Sequence, residues 1–96
     1  MDDVQLNLDT NGHGAFVITG NGGQIGEMEI AVAPGKLTVF HTEVVPEAEG
    51  KGVAKKLLSG MVAYARENRL KVIPLCPYVH AQFKRHSDEY ADIWSE

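Results

Sequence analysis

The chain has 96 residues, 44% of them hydrophobic, and a net charge of −4 with histidine neutral. This length predicts a single domain over residues 1–96, and this apolar content argues against a disordered chain. The acidic balance argues against nucleic acid or an anionic membrane as a partner, because both select basic surfaces. No apolar run approaches the roughly 18 residues of a membrane span. The N-terminus lacks a signal-peptide pattern and the only cysteine is Cys76, so we expect a cytoplasmic protein.

The first half of the chain is predicted to form four antiparallel strands. The four segments with strand character are VQLNL, GAFVIT, QIGEMEIAVA and KLTVFHTEVV. Turn residues separate them at 10–12, 20–23 and 34–35, which predicts a meander with tight connections. Gly26 is predicted to mark a bulge in the third strand. The fourth segment has apolar residues on both faces, so we expect this strand to be covered on both sides.

The second half is predicted to add a helix, a strand and a second helix. From Val53 to Arg69 the apolar residues recur at helical spacing along one stripe, and Asn68 is a plausible stop. The segment LKVIPLC predicts a short strand that ends near Pro74. Because a strand–helix–strand crossover is right-handed, this fifth strand should run parallel to the fourth. Pro77 is predicted to begin another helix, and the tail SDEYADIWSE should add a helical turn and dock Ile93 and Trp94 on the domain.

The stretch EGKGVAKKLL places two glycines directly before the long helix. At a helix N-terminus the first backbone amides lack acceptors and the dipole is positive, while glycine lets a ligand approach the backbone closely. Gly50 and Gly52 therefore predict an anion site suited to a pyrophosphate, with added charge from Lys51, Lys55 and Lys56. A plain turn into a helix is the alternative. The glycine spacing fits neither a P-loop nor the dinucleotide fingerprint.

The segment VPEAEGKGVA, followed by an amphipathic helix, resembles the acetyl-CoA signature of the GNAT superfamily of N-acetyltransferases, Gln/Arg-x-x-Gly-x-Gly/Ala. Gly52 and Ala54 match its last two fixed positions, whereas Glu49 replaces the usual Gln or Arg and removes one contact to the pyrophosphate. HTEVVPEAEGKGVAKKLL, LKVIPLCPYV and EYAD together are similar to a compact GNAT-like family, over residues 14–94.

This resemblance implies an α/β (α+β) acyltransferase fold: a four-stranded antiparallel meander, a glycine-loop helix, a parallel fifth strand and a C-terminal helix. It implies acetyl-CoA as a substrate, with the acyl-pantetheine chain between splayed strands four and five, and no metal. The acceptor would be an amine on a protein lysine, an N-terminus or a small molecule. A non-catalytic module that binds CoA or another protein is the alternative. Cofactor contacts are implied for Val44, Val45, Gly50, Lys51, Gly52, Val53, Ala54, Lys55, Tyr78 and Arg85.

Three residues are candidates for the chemistry. Cys76 ends the fifth strand, where it would face the gap and either accept the acetyl group as a thiolate or serve as a small buried hydrophobe. His41 in the fourth strand is predicted to lie within reach of Cys76 as a general base. Glu43 shares a strand face with His41 and would orient the imidazole or act as a base itself. Tyr78 is a candidate general acid for the leaving thiolate, with packing as its alternative role.

Two other kinds of site are disfavoured by spacing. Cys76, His80 and His86 imitate part of a zinc site, but only three ligands are visible. A cysteine phosphatase loop would need Arg six positions after Cys76, where Gln82 stands.

Overall fold

The structure is a computed structural model that describes residues 4–20 and 22–95. Its strands are β1 (Val4–Leu8), β2 (His13–Gly20), β3 (Gly23–Ala33), β4 (Lys36–Val44) and β5 (Lys71–Pro74), and its helices are α1 (Val53–Glu67), α2 (Pro77–Arg85) and α3 (Ser87–Tyr90). The strands form one sheet in the order β1-β2-β3-β4-β5. The first four are antiparallel and β5 is parallel to β4, as predicted. The predicted turn at 20–23 includes Asn21, which lies outside the described residues.

The helices cover one face of the sheet, and no helix of residues 4–20 and 22–95 covers the other. Phe16, Ile18, Met28 and Ile30 are buried on the covered face, in one cluster with the apolar side chains of α1 and α2. The opposite face, called the outer face below, carries the alternate strand residues, which include Val17. The molecule measures 36 × 33 × 20 Å, and its shortest dimension fits one sheet and one helical layer.

A bulge in β4 changes which side chains face the core. Ile30 pairs with Val39 and Glu29 pairs with His41, so Phe40 is an extra residue in β4. The bulge places Phe40 and His41 together on the outer face, where Phe40 is 38% exposed. The prediction that β4 is covered on both sides is therefore wrong. Side chains of a strand normally point to alternate faces, and the extra residue shifts this alternation by one. Apolar residues therefore occur at both odd and even positions of β4.

Gly26 is not the bulged residue of β3, because it pairs directly with Ile18. The bulge does lie in β3 but one residue earlier: Ile18 pairs with Gly26 and Thr19 with Gln24, so Ile25 is the extra residue. A Cβ on Gly26 would lie 2.5 Å from Cγ1 of Val53 and 3.3 Å from Cδ1 of Leu57. The glycine therefore serves the close approach of α1 to the sheet.

Helix α1 begins and ends at residues suited to those positions. Gly52 is its N-cap, with a left-handed φ of 78° that an L side chain rarely adopts. Asn68 is its C-cap, which confirms the predicted stop, and Arg69 follows with a φ of 55°, outside the helix. The buried stripe contains Val53, Leu57, Leu58, Met61, Val62 and Ala65.

The C-terminal segment docks on the domain, as predicted. Ile93 is buried, and Trp94 forms a parallel bridge with Val72 on the far side of β5. The rings of Phe83 and Tyr90 stack with their centroids 4.7 Å apart, which fixes α2 against α3. No helix within 4–20 and 22–95 is long and apolar enough to cross a membrane.

Candidate functional site

A gap opens in the sheet where β4 and β5 diverge. Their pairing ends at Val39 and Pro74, and the backbone N–H of Cys76 donates the last bond, 2.9 Å to the carbonyl of Val39. Beyond this point β4 continues to Val44, whereas the chain after β5 turns into α2. Within the described residues, the edge of β4 that faces β5 is therefore unpaired from Phe40 onward.

The backbone of Val44 points into this gap. The N–H of the next residue, Val45, donates 3.0 Å to the carbonyl of Ile25 in β3. Because successive residues of a strand present their backbone groups to opposite sides, the N–H and C=O of Val44 face away from β3. An extended ligand in the gap can pair with these groups as an added strand does.

A cavity of 410 Å³ lies beside the gap, at the N-terminus of α1. We call it the glycine-loop cavity. It is lined by Thr42, Val44, Ala48, Glu49, Gly50, Gly52, Val53, Ala54, Lys55 and Tyr78. The cavity therefore lies between strand β4, the loop of residues 49–52 (the glycine loop) and the first turns of α1 and α2. Seven of these residues belong to the set for which the family resemblance implies cofactor contacts: Val44, Gly50, Gly52, Val53, Ala54, Lys55 and Tyr78.

The glycine loop exposes its backbone to this cavity. Gly50 and Gly52 have φ angles of 81° and 78°, and a Cβ on either would meet no atom within 4 Å. The first amides of α1 have no intrahelical acceptor, and Gly52 supplies no side-chain cap. The site therefore offers open space and backbone donors at the positive end of a 15-residue helix.

The charges around the cavity are mixed. Lys55 lines it and Lys51 is exposed in the preceding turn. Glu49 also lines the cavity, at the position where the acetyl-CoA signature has Gln or Arg. A carboxylate at this place opposes an anionic ligand, while the helix dipole and Lys55 favour it.

Cys76 lies at the junction of β5 and α2, where it is only 2% exposed. Its Sγ is 3.2 Å from Oγ1 of Thr42 in β4. Cys76 is also the N-cap of α2, although it makes no side-chain capping bond. The thiol therefore contacts a hydroxyl group at the edge of the gap.

His41 lies on the other side of β4. It precedes Thr42, so its side chain points to the outer face, where it is 58% exposed. Its Nε2 is 3.7 Å from Oε1 of Glu43, which shares that face. The structure thus confirms that His41 and Glu43 share a face. It does not bring His41 to Cys76, because the bulge turns His41 outward and leaves Thr42 against the thiol.

Tyr78 is half-buried in the first turn of α2 and lines the cavity. Burial raises the pKa of its phenol above the usual 10.0, with smaller contributions from Tyr90 and Cys76. The phenol is therefore protonated near neutral pH and can donate a proton. Arg85 lies at the other end of α2, about 10 Å along the helix axis from Tyr78, and does not line the cavity.

The structure adds cavity residues that the sequence patterns do not single out. Thr42 lines the cavity because the bulge shifts the alternation of β4, and no sequence signal marks the bulged residue. Ala48 enters through the 3-10 turn Pro46–Ala48, which sequence periodicity does not predict. Val45 and Lys51 do not line this cavity, and Val45 lines a neighbouring one at the ends of β3 and β4. Among the described residues no cluster of His, Cys, Asp or Glu is placed to hold a metal ion.

Comparison with known proteins identifies relatives across most of the chain. A family model described as GCN5-related N-acetyl-transferase matches residues 15–93. The NMR solution structure of a GCN5-like protein from Staphylococcus aureus matches with a TM-score of 0.70 and 30% identity, over 99% of this chain and 91% of that chain. No curated protein matches the sequence. The matched region includes β4, the glycine loop, α1, β5 and α2, and the similarity confirms the predicted fold.

Proposed function

Because this chain belongs to the GCN5-related N-acetyltransferase family, we propose that it transfers an acetyl group from acetyl-CoA to an amine at the glycine-loop cavity. The observation that carries the proposal is the position of this 410 Å³ cavity. It joins an uncapped helix N-terminus to the gap between β4 and β5. One end suits an anion and the other suits an extended chain.

The proposed orientation of acetyl-CoA follows from these two ends. The pyrophosphate would accept hydrogen bonds from the first amides of α1, next to Gly50 and Gly52. Lys55 would add a positive charge there. The pantetheine amides would pair with the backbone of Val44 in the gap. The thioester would then lie near Thr42 and the first turn of α2.

The reaction forms one bond to the acetyl carbon and breaks another. The neutral amine attacks the thioester carbonyl, a C–N bond forms, and the C–S bond breaks as CoA leaves as a thiolate. Tyr78 would donate its phenolic proton to this sulfur, the attacking nitrogen would release one proton to His41, Glu43 or solvent, and solvent would return a proton to the phenol. The products are the acetylated amine and CoA. Fixing both reactants beside one another supplies much of the acceleration, and the proton transfer adds to it.

We assign direct attack by the amine rather than a covalent relay through Cys76. A relay needs a thiolate and therefore a nearby base or cation. The thiol is buried and its hydrogen-bond partner is the neutral hydroxyl of Thr42. His41, the base expected for such a relay, lies on the outer face. His41 or Glu43 would instead accept a proton from an amine that approaches from that face.

Glu49 favours one alternative function, a module that binds CoA or an acylated partner without turnover. Its carboxylate lines the cavity and opposes the pyrophosphate. The two functions differ in one measurable respect. Both predict binding of CoA, but only the transferase predicts acetylation of an amine.

The proposal is tested by isothermal titration calorimetry with CoA and acetyl-CoA on the wild type, Gly52→Asp and Gly35→Asp. Gly35 is a matched control, since its φ is 74°, a Cβ there would meet no atom within 4 Å, and it lies in the turn between β3 and β4. Both variants carry the same backbone strain and the same added charge. We expect only Gly52→Asp to lose CoA binding.

Absence of CoA binding by the wild type would overturn the proposal. Equal loss of affinity in both variants would assign the effect to general destabilisation and remove the evidence for this loop. Where CoA binds, mass spectrometry of an amine panel incubated with acetyl-CoA separates the transferase from the binding module. No acetylated amine in that panel would favour the module.

A further inference from the structure

The outer face of the sheet is open and acidic next to the gap. It carries Glu27 and Glu29 from β3 and Glu43 from β4, together with His41 and Phe40. We propose that this acidic face binds a lysine- and arginine-bearing polypeptide segment, which is the acceptor substrate. The acceptor role rests on the proposed acetyl transfer, whereas the docking itself does not.

The strand register brings negative charges together on this face. Glu27 lies directly opposite Glu43, and Glu29 lies opposite His41. Directly opposite side chains have Cβ atoms about 4.5–5.5 Å apart, and like charges in such a pair destabilise a sheet. Glu27 accepts a hydrogen bond from Nε2 of Gln24, 3.0 Å long. Among the residues that the structure describes, the partner of Glu43 is the imidazole of His41, at 3.7 Å. A cation from a partner would relieve this repulsion.

Within the described residues, the lysines of the outer face lie at its opposite end. Lys36 and Lys71 pair with each other where β4 and β5 begin. Lys71 donates through Nζ to the backbone carbonyl of Asp92, which directs it away from the glutamates. About 20 Å of strand separates Lys36 from Glu43. The acidic end is therefore not neutralised by these two lysines, and its charge is complementary to a basic segment.

Two further features suit a polypeptide rather than a free ion. Phe40 is 38% exposed on this face and gives an aromatic contact beside the charges. A cavity of 240 Å³ lies at the ends of β3 and β4 and includes Glu27 and Glu43 in its lining. A concave site with two carboxylates fits a lysine ammonium group, while Phe40 packs against a neighbouring side chain.

The acidic face also lies within reach of the gap. His41 and Thr42 are successive residues of β4, so the face and the cavity are separated by the thickness of one strand. Since β4 has no described strand partner on its β5 side beyond Val39, no strand-to-strand hydrogen bonds close the gap between the two faces. The long flexible stem of a lysine can pass from the acidic face to a thioester held near Thr42.

The test measures fluorescence anisotropy of a labelled peptide rich in lysine and arginine, with the full chain in the presence of CoA. A peptide of equal length with every basic residue replaced by glutamine is the control ligand. The variant Glu27→Gln/Glu29→Gln removes two charges from the acidic face. The variant Glu67→Gln/Asp88→Asn removes two exposed charges from α1 and α3 and is the matched control protein. Calorimetry with CoA is run on each protein in parallel.

We expect the wild type to bind the basic peptide and not the glutamine peptide, with an affinity that falls as salt is added. The acidic-face variant should weaken peptide binding about tenfold, as expected for two lost charge pairs of modest strength. The control variant should keep the wild-type affinity, and all proteins should bind CoA alike. The unlabelled basic peptide should also displace the labelled peptide at a lower concentration than spermidine does.

Failure to bind the basic peptide, with CoA binding intact, would overturn this inference and leave the proposed function standing. Equal weakening in both variants would also overturn it, since net charge and not this face would then determine binding. Competition by spermidine at equal concentration would replace the polypeptide with a small polyamine. Loss of CoA binding from the wild type would instead overturn the proposed function and with it the acceptor role of the peptide.

Discussion

Thr42 Oγ1 lies 3.2 Å from Cys76 Sγ, across the point where β4 and β5 separate. The contact predicts the outcome of Cys76→Ala. Because the thiol is buried and contacts a hydroxyl group, the variant should lose about 1 kcal/mol of stability through the small cavity it leaves. Acetyl transfer should continue at a rate within a few-fold of the wild type, because the amine attacks the thioester directly. Urea unfolding and single-turnover kinetics measure the two quantities.

An acyl-enzyme intermediate would give a different result for the same variant. Transfer in Cys76→Ala would then fall to background while CoA affinity stayed intact. Intact-mass spectrometry of the wild type after mixing with acetyl-CoA alone provides an independent readout. An acetylated protein that forms rapidly and depends on Cys76 would contradict the assignment of direct attack.

Glu49 is expected to weaken the binding of CoA, because its carboxylate lines the cavity that would hold the pyrophosphate. Glu49→Gln should therefore tighten binding. A like-charge contact near a surface costs on the order of 1 kcal/mol, so the expected gain in affinity is about fivefold. Glu47→Gln is the matched control, since Glu47 is exposed in the same turn and does not line the cavity. An unchanged dissociation constant in Glu49→Gln would show that the carboxylate points away from the bound anion.

Gly26 is expected to be intolerant of a side chain. A Cβ there would lie 2.5 Å from Cγ1 of Val53, so Gly26→Ala should cost about 1–3 kcal/mol through overpacking. The double variant Gly26→Ala/Val53→Ala removes the clashing methyl group and should be more stable than the sum of the single effects predicts. Urea denaturation of the four proteins completes the cycle. Strict additivity would contradict the role assigned to Gly26.

The sequence predicts the meander, the crossover and the limits of α1 because each depends on local chemistry. Turn residues, helical periodicity and the stop at Asn68 are all local signals. The bulge in β4 is not local, since it is defined by the pairing of two strands. β4 is therefore covered on one face only, because the extra residue Phe40 places apolar side chains on both faces of the strand. The same shift points His41 to the outer face, away from Cys76. Thr42 contacts the thiol instead.

The glycine loop lies directly before α1, where the residue pattern predicts a turn. Gly50 and Gly52 are recognised by their residue type, and the structure gives both a positive φ beside the cavity. Arg85 is the opposite case. The family resemblance implies Arg85 as a cofactor contact, but this residue lies at the other end of α2 from Tyr78 and does not line the cavity. Helix geometry, rather than sequence proximity, decides which charges reach a ligand.

Tyr78 is expected to act as a general acid, and its raised pKa keeps the phenol protonated over the working pH range. Tyr78→Phe keeps the ring in the cavity wall and removes the hydroxyl group. We expect kcat to fall by about a hundredfold, the lower end of the range for general acid catalysis, with little change in the KM for acetyl-CoA. Since burial raises this pKa above 10.0, ionisation of Tyr78 should not reduce wild-type kcat below about pH 10. A drop in CoA affinity without a change in kcat would assign Tyr78 to packing.

The ion pair between Arg66 and Asp92 should make stability depend on pH in the acid range. Arg66 Nε lies 2.9 Å from Asp92 Oδ2, and this hydrogen bond holds the pKa of the carboxyl below its usual 3.8. A depressed pKa in the folded state means that the contribution is present above the unfolded pKa. It is lost as the pH falls through the lower, folded value. Urea midpoints of the wild type and Asp92→Asn should therefore differ at about pH 7 and converge at about pH 2.

Asp88→Asn provides the control for this measurement, because Asp88 is an exposed carboxylate of the neighbouring helix α3. Its midpoint should follow that of the wild type at both values of pH. Both side chains of the ion pair are about half exposed, so added salt should reduce the difference between wild type and Asp92→Asn at neutral pH. A difference that persists at about pH 2 would mean that Asp92 stabilises the C-terminal segment without its charge. The hydrogen bond from Arg66 to the carbonyl of Glu89, 2.7 Å long, would then be the contact to test next.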